Sequence, residues 1–333
     1  MRGCPEPLAQ VYDVALLDLD GVVYLGGSPV PGAPEALAKA AGLGTRLAFV
    51  TNNSSRTPSA VAAQISGFGV PAAAGDVVTS AQAAATLLAG RLETGSAVLV
   101  VGGNGLRVAV RERGFRPVTV ATEHPAAVVQ GYAPGIDYSL LAEGALAVAA
   151  GAWFVVSNAD STMPTTRGRQ PGNGALAQVI VHATGQQPVV AGKPERPLHA
   201  EAVTRTGARN PLVVGDRLDT DIEGAIRGGA DSMAVLTGVV RDVDLLLAPQ
   251  QQRPTYVAAG LAGLLEPHPQ ISHADGGFCC GGWVARWPGT GERLVLEGSG
   301  DPIDGLRAAC AAAWSKAQVN RDMVEPALAA VRS

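Results

Sequence analysis

The sequence predicts an α/β protein: a doubly wound parallel sheet, interrupted by a second α/β unit and followed by a small ββα extension. Three observations carry that prediction. Short apolar runs ending in polar or glycine residues alternate with helix-length segments, as in a parallel sheet. The chain changes character near residue 85, and its first pattern resumes near residue 190. Its 333 residues exceed one ordinary domain.

The elements follow in order. Residues 11–17 read as a buried strand ending at Asp18-Leu19-Asp20-Gly21. A short helix over 34–41 opens after Pro31-Gly32, and a second strand over 47–50 ends at Thr51-Asn52-Asn53-Ser54. The next helix carries Val61, Ile65 and Phe68 and stops at Gly69. Strands over 97–101, 126–131 and 153–158, with helices over 138–150 and 175–184, form an α/β unit of ordinary domain size. The first pattern returns with a strand over 211–216, a helix over 222–227 and a strand over 232–236. The expected division is a discontinuous core, residues 1–84 and 190–260, around an insertion at 85–189. A connector over 261–277 then leads to the extension at 278–333. Its strands are expected over 278–287 and 293–297, with a turn at 288–291 and a helix over 303–316. So few residues make a poor independent core, so the extension is expected to pack on the rest of the chain.

Composition narrows the function. The chain is 47% hydrophobic and carries 25 basic against 29 acidic residues, a net charge of −4. It has no basic stripe interleaved with aromatics, which argues against nucleic acid. No run of about 18 apolar residues predicts a membrane span, and no apolar signal segment opens the chain. Cys4, Cys279, Cys280 and Cys310 show no disulfide or metal spacing, so reduced thiols in a cytoplasmic protein are expected.

The chemistry concentrates at strand ends. Side chains two apart on a strand share a face, so Asp18 and Asp20 would point into one pocket. Like charges that close need a cation, a proton or a phosphate intermediate between them. Three further strand ends carry Thr51-Asn52, Gly192-Lys193-Pro194-Glu195, and Gly215-Asp216 with Asp219 and Asp221. Ligands of open parallel sheets bind outside these carboxyl ends. Taken singly, each is an ordinary turn or helix cap; four in order make a site. An ionised Asp can attack phosphorus, and a second can move the proton. Hydroxyl, backbone N–H and lysine groups can hold phosphoryl oxygens, and Mg²⁺ suits a carboxylate-and-water ligand set.

Asp18-Leu19-Asp20-Gly21-Val22-Val23, Val50-Thr51-Asn52-Asn53-Ser54, Gly192-Lys193-Pro194 and Gly215-Asp216-Arg217-Leu218-Asp219-Thr220-Asp221 resemble, in order, the four motifs of the haloacid dehalogenase (HAD) superfamily. The insertion resembles the type IIA (C2a) cap of its p-nitrophenyl phosphate, phosphoglycolate and pyridoxal phosphatases. The resemblance implies a HAD-like core with a C2 cap and a Mg²⁺-dependent phosphomonoesterase. It makes Asp18 the nucleophile and Asp20 the general acid/base. Asp18, the Asp20 carbonyl and Asp216 would bind Mg²⁺. Thr51, the Asn52 backbone and Lys193 would hold the phosphate, and Asp221 would order the metal's waters or pair with Lys193. Asp219 is left between that site and solvent.

In type IIA relatives the loop at Asn158-Ala159-Asp160 and the helix start at Gly172-Asn173 choose the leaving group, so Asn158, Asp160, Gly172 and Asn173 are candidate substrate contacts. Pyridoxal-directed relatives carry an aromatic residue and a His where Ser161-Thr162-Met163 stands, which weakens that reading. Tyr132, Tyr138 and Trp153 are the few candidates for stacking on a ring. A small hydroxylated leaving group favours glycerol 3-phosphate. Phosphoglycolate comes second, with Arg167 and Arg169 available for its carboxylate, ahead of pyridoxal phosphate and nucleotides. A mutase reading needs a cap between the first two motifs, where too few residues stand. A non-catalytic phospho-ligand sensor would not need both Asp18 and Asp20. A homodimer is expected from the relatives. The extension resembles part of a GCN5-type acetyltransferase fold but is too short for a whole one and lacks a CoA pyrophosphate loop. It is expected to be structural or regulatory.

Overall fold

The computed structural model describes residues 1–165, 167–274, 276–289 and 293–332. It comprises two compact units: residues 1–47 with 208–333, and residues 48–207. The predicted α/β class, with parallel sheets, is the observed one.

In the first unit, four parallel strands lie in the order Tyr256–Ala258, Asp231–Val235, Pro211–Gly215, Val14–Leu17. Val14–Leu17 is buried along its whole length, as a strand covered on both faces must be. Its register pairs Leu17 with Val214, so the two strand ends that carry Asp18 and Asp216 finish side by side. Helix Ala33–Gly42 begins with Pro34 in its first turn, where a missing N–H costs nothing. The helix expected over 222–227 is Glu223–Gly228, preceded by a π-turn at Leu218–Ile222.

The extension is larger in secondary structure than expected. It is a four-stranded antiparallel sheet, Ser272–Ala274, Gly277–Cys280, Trp283–Arg286 and Val295–Gly298, covered by helix Pro302–Trp314. The single strand expected over 278–287 is two strands, because Gly281, at φ +54°, turns the chain back. Ser272–Ala274 lies in the stretch read as a connector. Thr290-Gly291 of the expected turn lies outside the described residues. Cys280, Trp283, Leu306, Ala309 and Cys310 share one apolar core with Ile222, Ala234, Val240 and Val257, so the extension does pack on the chain that precedes it. A buried polar clamp fastens it there. Arg307 donates to Val257 O twice (3.2 and 2.7 Å), to Asp304 Oδ1 (2.6 Å) and to His268 Nδ1 (3.1 Å).

Strand Arg46–Thr51 opens in the first unit and runs into the second, where Phe49, Val50 and Thr51 pair in parallel with Val77, Val78 and Thr79. The second unit has a five-stranded parallel sheet ordered Val189–Val190, Trp153–Val156, Ala127–Gln130, Ala97–Val101, Arg116–Val118. Its core joins Leu99, Val101, Val128, Phe154 and Val156 to Ala147, Val148, Ala177 and Ile180 of helices Tyr138–Ala149 and Asn173–Thr184. The Ser161-Thr162-Met163 segment, read as loop, belongs to an antiparallel hairpin, Thr162–Thr165 with Gly168–Pro171. Helix Ser80–Ala89 was legible yet not expected: Thr79 and Gln82 form a reciprocal capping box, with bonds of 3.0 and 3.3 Å. No helix among the described residues is long and apolar enough to cross a membrane.

Candidate active site

The carboxylates of the first unit gather where its strands end. Asp18 N still donates to Val214 O (2.8 Å), so sheet pairing continues through Asp18 before the chain turns. Leu19 O then accepts from the N–H groups of Val22, Val23 and Tyr24 (3.3, 2.9 and 3.1 Å), which winds the next residues into a tight loop. Gly21 sits at φ +88°, and any Cβ there would strike the Asp216 carboxylate. Only glycine meets both conditions. Gly215 is likewise pressed against Asp221, and Gly238 against Asp216.

Carboxylate oxygens of Asp18, Asp216 and Asp221 lie within 4.8 Å of one another. Asp216 and Asp221 are each only 1% exposed, and Asp18 is half-buried. Val239 N donates to Asp216 Oδ2 (2.7 Å), and Arg217 N donates to Asp221 Oδ2 (3.2 Å). Three carboxylates so close and so dry repel unless a cation or proton joins them. A cluster of hard oxygen donors is the set that Mg²⁺ prefers, so these residues fit that ion. Asp20 is not a member of the cluster, and its side chain is exposed. Asp219 is also outside it, bonded to Arg217 at 3.1 and 2.8 Å. Partial burial alone would raise its carboxyl, but the bonds and charge of Arg217 outweigh that and hold it below the usual carboxylate range.

The second unit assembles Thr51, Asn52 and Lys193. Thr51 Oγ1 accepts from Asn53 N (3.1 Å). Lys193 is buried, and its Nζ donates to Val50 O (3.2 Å). Asn52 is a hub. Its Oδ1 accepts from Lys193 N (2.8 Å), and its Nδ2 donates to Lys193 O (3.2 Å) and to the Asp160 carboxylate (3.2 and 3.4 Å). Asn52 O accepts from Ser80 Oγ (2.6 Å) and Asn158 Nδ2 (2.8 Å).

The candidate substrate contacts lie on the same network. Asp160 N donates to Asn158 Oδ1 (3.2 Å), and Asn173 Nδ2 donates to Asn158 O (2.7 Å). Gly172 and Gly174 approach the backbone carbonyls of Asp160 and Ala159 too closely for any side chain. Asn158 and Asn173 are thus buried scaffold for the loop, whereas Asp160 is half-buried. Arg167 and Arg169 are exposed on the hairpin. Two contributors were missed in the sequence: Ser80, hidden in an unexpected helix, and Thr237, whose hydroxyl donates to Gly21 O (2.5 Å). The Thr79-to-Gln82 capping box would have revealed the first; no local pattern marks the second.

The strand-end carboxylates on a parallel α/β sheet define a hydrolase of the phosphoryl-transfer type, and family comparison agrees. A model of the haloacid dehalogenase-like hydrolases matches residues 15–116, a HAD-hydrolase-like model matches 190–264, and a GCN5-related N-acetyltransferase-like model matches 280–333. The chain belongs to the haloacid dehalogenase-like hydrolases. It is 44% identical to the D-glycerol 3-phosphate phosphatase of Mycobacterium tuberculosis, over 93% of this chain and 88% of that one. A crystal structure of the glycerol phosphate phosphatase from that organism, in complex with magnesium, superposes with a TM-score of 0.88 at 40% identity, covering 99% of this chain and 98% of that one. The 5'-nucleotidase of Bacillus subtilis is 37% identical over 76% of this chain and 97% of its own length.

Proposed function

We propose that this protein is a Mg²⁺-dependent phosphomonoesterase that hydrolyses glycerol 3-phosphate through an aspartyl-phosphate on Asp18. The cluster of Asp18, Asp216 and Asp221 carries the reading, because it supplies a nucleophile beside a cation-binding donor set. Identity to a D-glycerol 3-phosphate phosphatase over nearly the whole chain, extension included, supports that substrate over the nucleotides. The nucleotidase match spans only 76% of this chain.

In this reading an Asp18 carboxylate oxygen attacks phosphorus as the bond to the glycerol oxygen breaks. Asp20 protonates the departing alkoxide, then takes a proton from the water that attacks phosphorus and breaks the Asp18 ester. The exposure of Asp20 suits a group that exchanges protons with water. Thr51, the Asn52 backbone and Lys193 hold the phosphoryl oxygens, as in the family. Bound Mg²⁺ supplies neutralising charge, with Asp18, Asp216 and the Asp20 carbonyl as its protein ligands and Asp221 beside them. Asn158, Asp160, Gly172 and Asn173 shape the leaving-group side, with Asp160 the contact and the others its frame. Pairing of two copies through the inserted cap and a cytoplasmic setting belong to the same reading; the four free thiols are consistent with the latter.

Phosphate release across a panel of monoesters tests this. Glycerol 3-phosphate should give the highest kcat/KM; phosphoglycolate or a nucleoside monophosphate ahead of it overturns the substrate. Asp18→Asn should release no phosphate, and undiminished release would overturn the mechanism.

A further inference from the structure

The loop after strand Asp231–Val235 touches both parts of the acidic site, and the family motifs do not include it. Thr237 Oγ1 donates to Gly21 O (2.5 Å). Two residues on, Val239 N donates to Asp216 Oδ2 (2.7 Å), and Val240 N donates to Asp216 O (2.9 Å). Between them Gly238 lies so close to the Asp216 carboxylate that a Cβ would strike it, and Gly21 approaches the same oxygen. One short strap therefore bonds a metal-ligand candidate at one end and the nucleophile loop at the other.

We propose that Thr237 is a positioning residue that sets the geometry of the Mg²⁺ ligands, an inference that rests on the function proposed above. Gly21 N donates to Tyr24 O (2.8 Å), and Gly21 O accepts from Thr237, so both peptide groups of Gly21 are pinned. A peptide unit is planar, and Asp20 C=O points opposite to Gly21 N–H. The bond from Gly21 N to Tyr24 O sets the direction of the Asp20 carbonyl, and the Thr237 bond holds the following peptide, so that Gly21 cannot swing between the two. Gly21 is buried, so without the hydroxyl its carbonyl has lost a partner in a place water reaches poorly. The left-handed Gly21 is also the residue freest to rotate once released. Leu236 N bonds to Ala258 O (3.3 Å), and Val240 lies in the apolar core shared with the extension. The strap is thus held from behind.

Magnesium binding by the full chain, followed by calorimetry without substrate, tests the proposal independently of turnover. Thr237→Val keeps the shape and removes the hydroxyl; it should weaken Mg²⁺ binding about 10-fold, the scale seen for groups that orient metal ligands. The same variant should lower kcat at sub-saturating Mg²⁺ and leave KM for glycerol 3-phosphate unchanged. Thr237→Ser, which restores the donor, should recover Mg²⁺ affinity to within about twofold of the parent. Equal Mg²⁺ affinity in Thr237→Val and the parent overturns the proposal, as does a serine variant no better than valine. Should the valine chain not fold, Thr237→Ala against Thr237→Ser is read by the same criterion. A parent that binds Mg²⁺ but releases no phosphate defeats the proposed activity and leaves the strap standing. A parent that binds no Mg²⁺ defeats both.

Discussion

Asp18 shows what a single residue owes to its neighbours. It lies one residue past an all-buried strand, where the sheet still holds its N–H, and its carboxylate meets two others from a strand end some two hundred residues away. Gly21 permits this by leaving room for Asp216. Gly21→Ala combines a strained φ with a collision, so it should cost on the order of 1–3 kcal/mol of stability and weaken Mg²⁺ binding. Denaturant unfolding and metal titration measure the two effects. Asn52 serves the other unit in a comparable way, since four residues, Lys193, Asp160, Asn158 and Ser80, hold or are held by it. Asn52→Ala releases Asp160 and the backbone of Lys193 together. A fall in kcat/KM on the order of 10²-fold is expected, with discrimination between glycerol 3-phosphate and p-nitrophenyl phosphate reduced. Unchanged discrimination would show that the bond from Asn52 to Asp160 does not bear on substrate choice. The gathering of Asp18, Asp216 and Asp221 was legible because strand ends carry a motif; the network around Asn52 was only half legible, since its side-chain partners come from two segments more than a hundred positions away.

At the scale of elements, the extension is the informative case. Its helix and sheet were legible in outline, but its clamp was not. Arg307, a charged side chain within helix Pro302–Trp314, is only 8% exposed and is bonded to Val257 and His268. Arg307→Met leaves Asp304 buried without its cation, which should cost about 3–5 kcal/mol. A thermal melt monitored by circular dichroism measures it. His268 makes the same joint sensitive to pH. Its Nε2 faces Gly263 O (2.9 Å), so Nε2 carries the proton and Nδ1 accepts from Arg307. Burial, then the charge of Arg307, lower the imidazole's affinity for a second proton, against the opposing pull of Gly263 O and Asp304. Below its ordinary value of 6.5 the unfolded chain takes up a proton that the folded chain refuses. Stability from this group is complete above that pH and lost as pH falls toward the lowered folded value. His199 is shifted the same way, first by burial and then by Arg196. The melting temperature should drop between neutral pH and about pH 5.5, and His268→Gln should flatten part of the slope. A slope identical in the variant would remove His268 from the account.

At the scale of the whole molecule, a triad of carboxylates with two buried members and one half-buried would couple folding to metal. Any ion bound by the folded chain alone stabilises it, by about 2.7 kcal/mol at 100 times its dissociation constant. Chelation should therefore abolish phosphate release and lower the melting temperature together, and added Mg²⁺ should restore both. A melting temperature indifferent to Mg²⁺ would count against Asp18, Asp216 and Asp221 as its site.

Alternating apolar runs and helix-length segments sufficed, by sequence alone, for the α/β class, and the order of four polar strand ends for the phosphatase family. Those signals are local: an apolar run, a turn residue, a carboxylate. Tertiary structure decided which of these groups meet and what holds them. Thr237 and Gly21 are 216 positions apart, and Arg307 and Val257 are 50 apart. A hydrogen bond over such a separation leaves no periodicity or composition behind it, because only the closed sheet and the packed core bring its partners into reach.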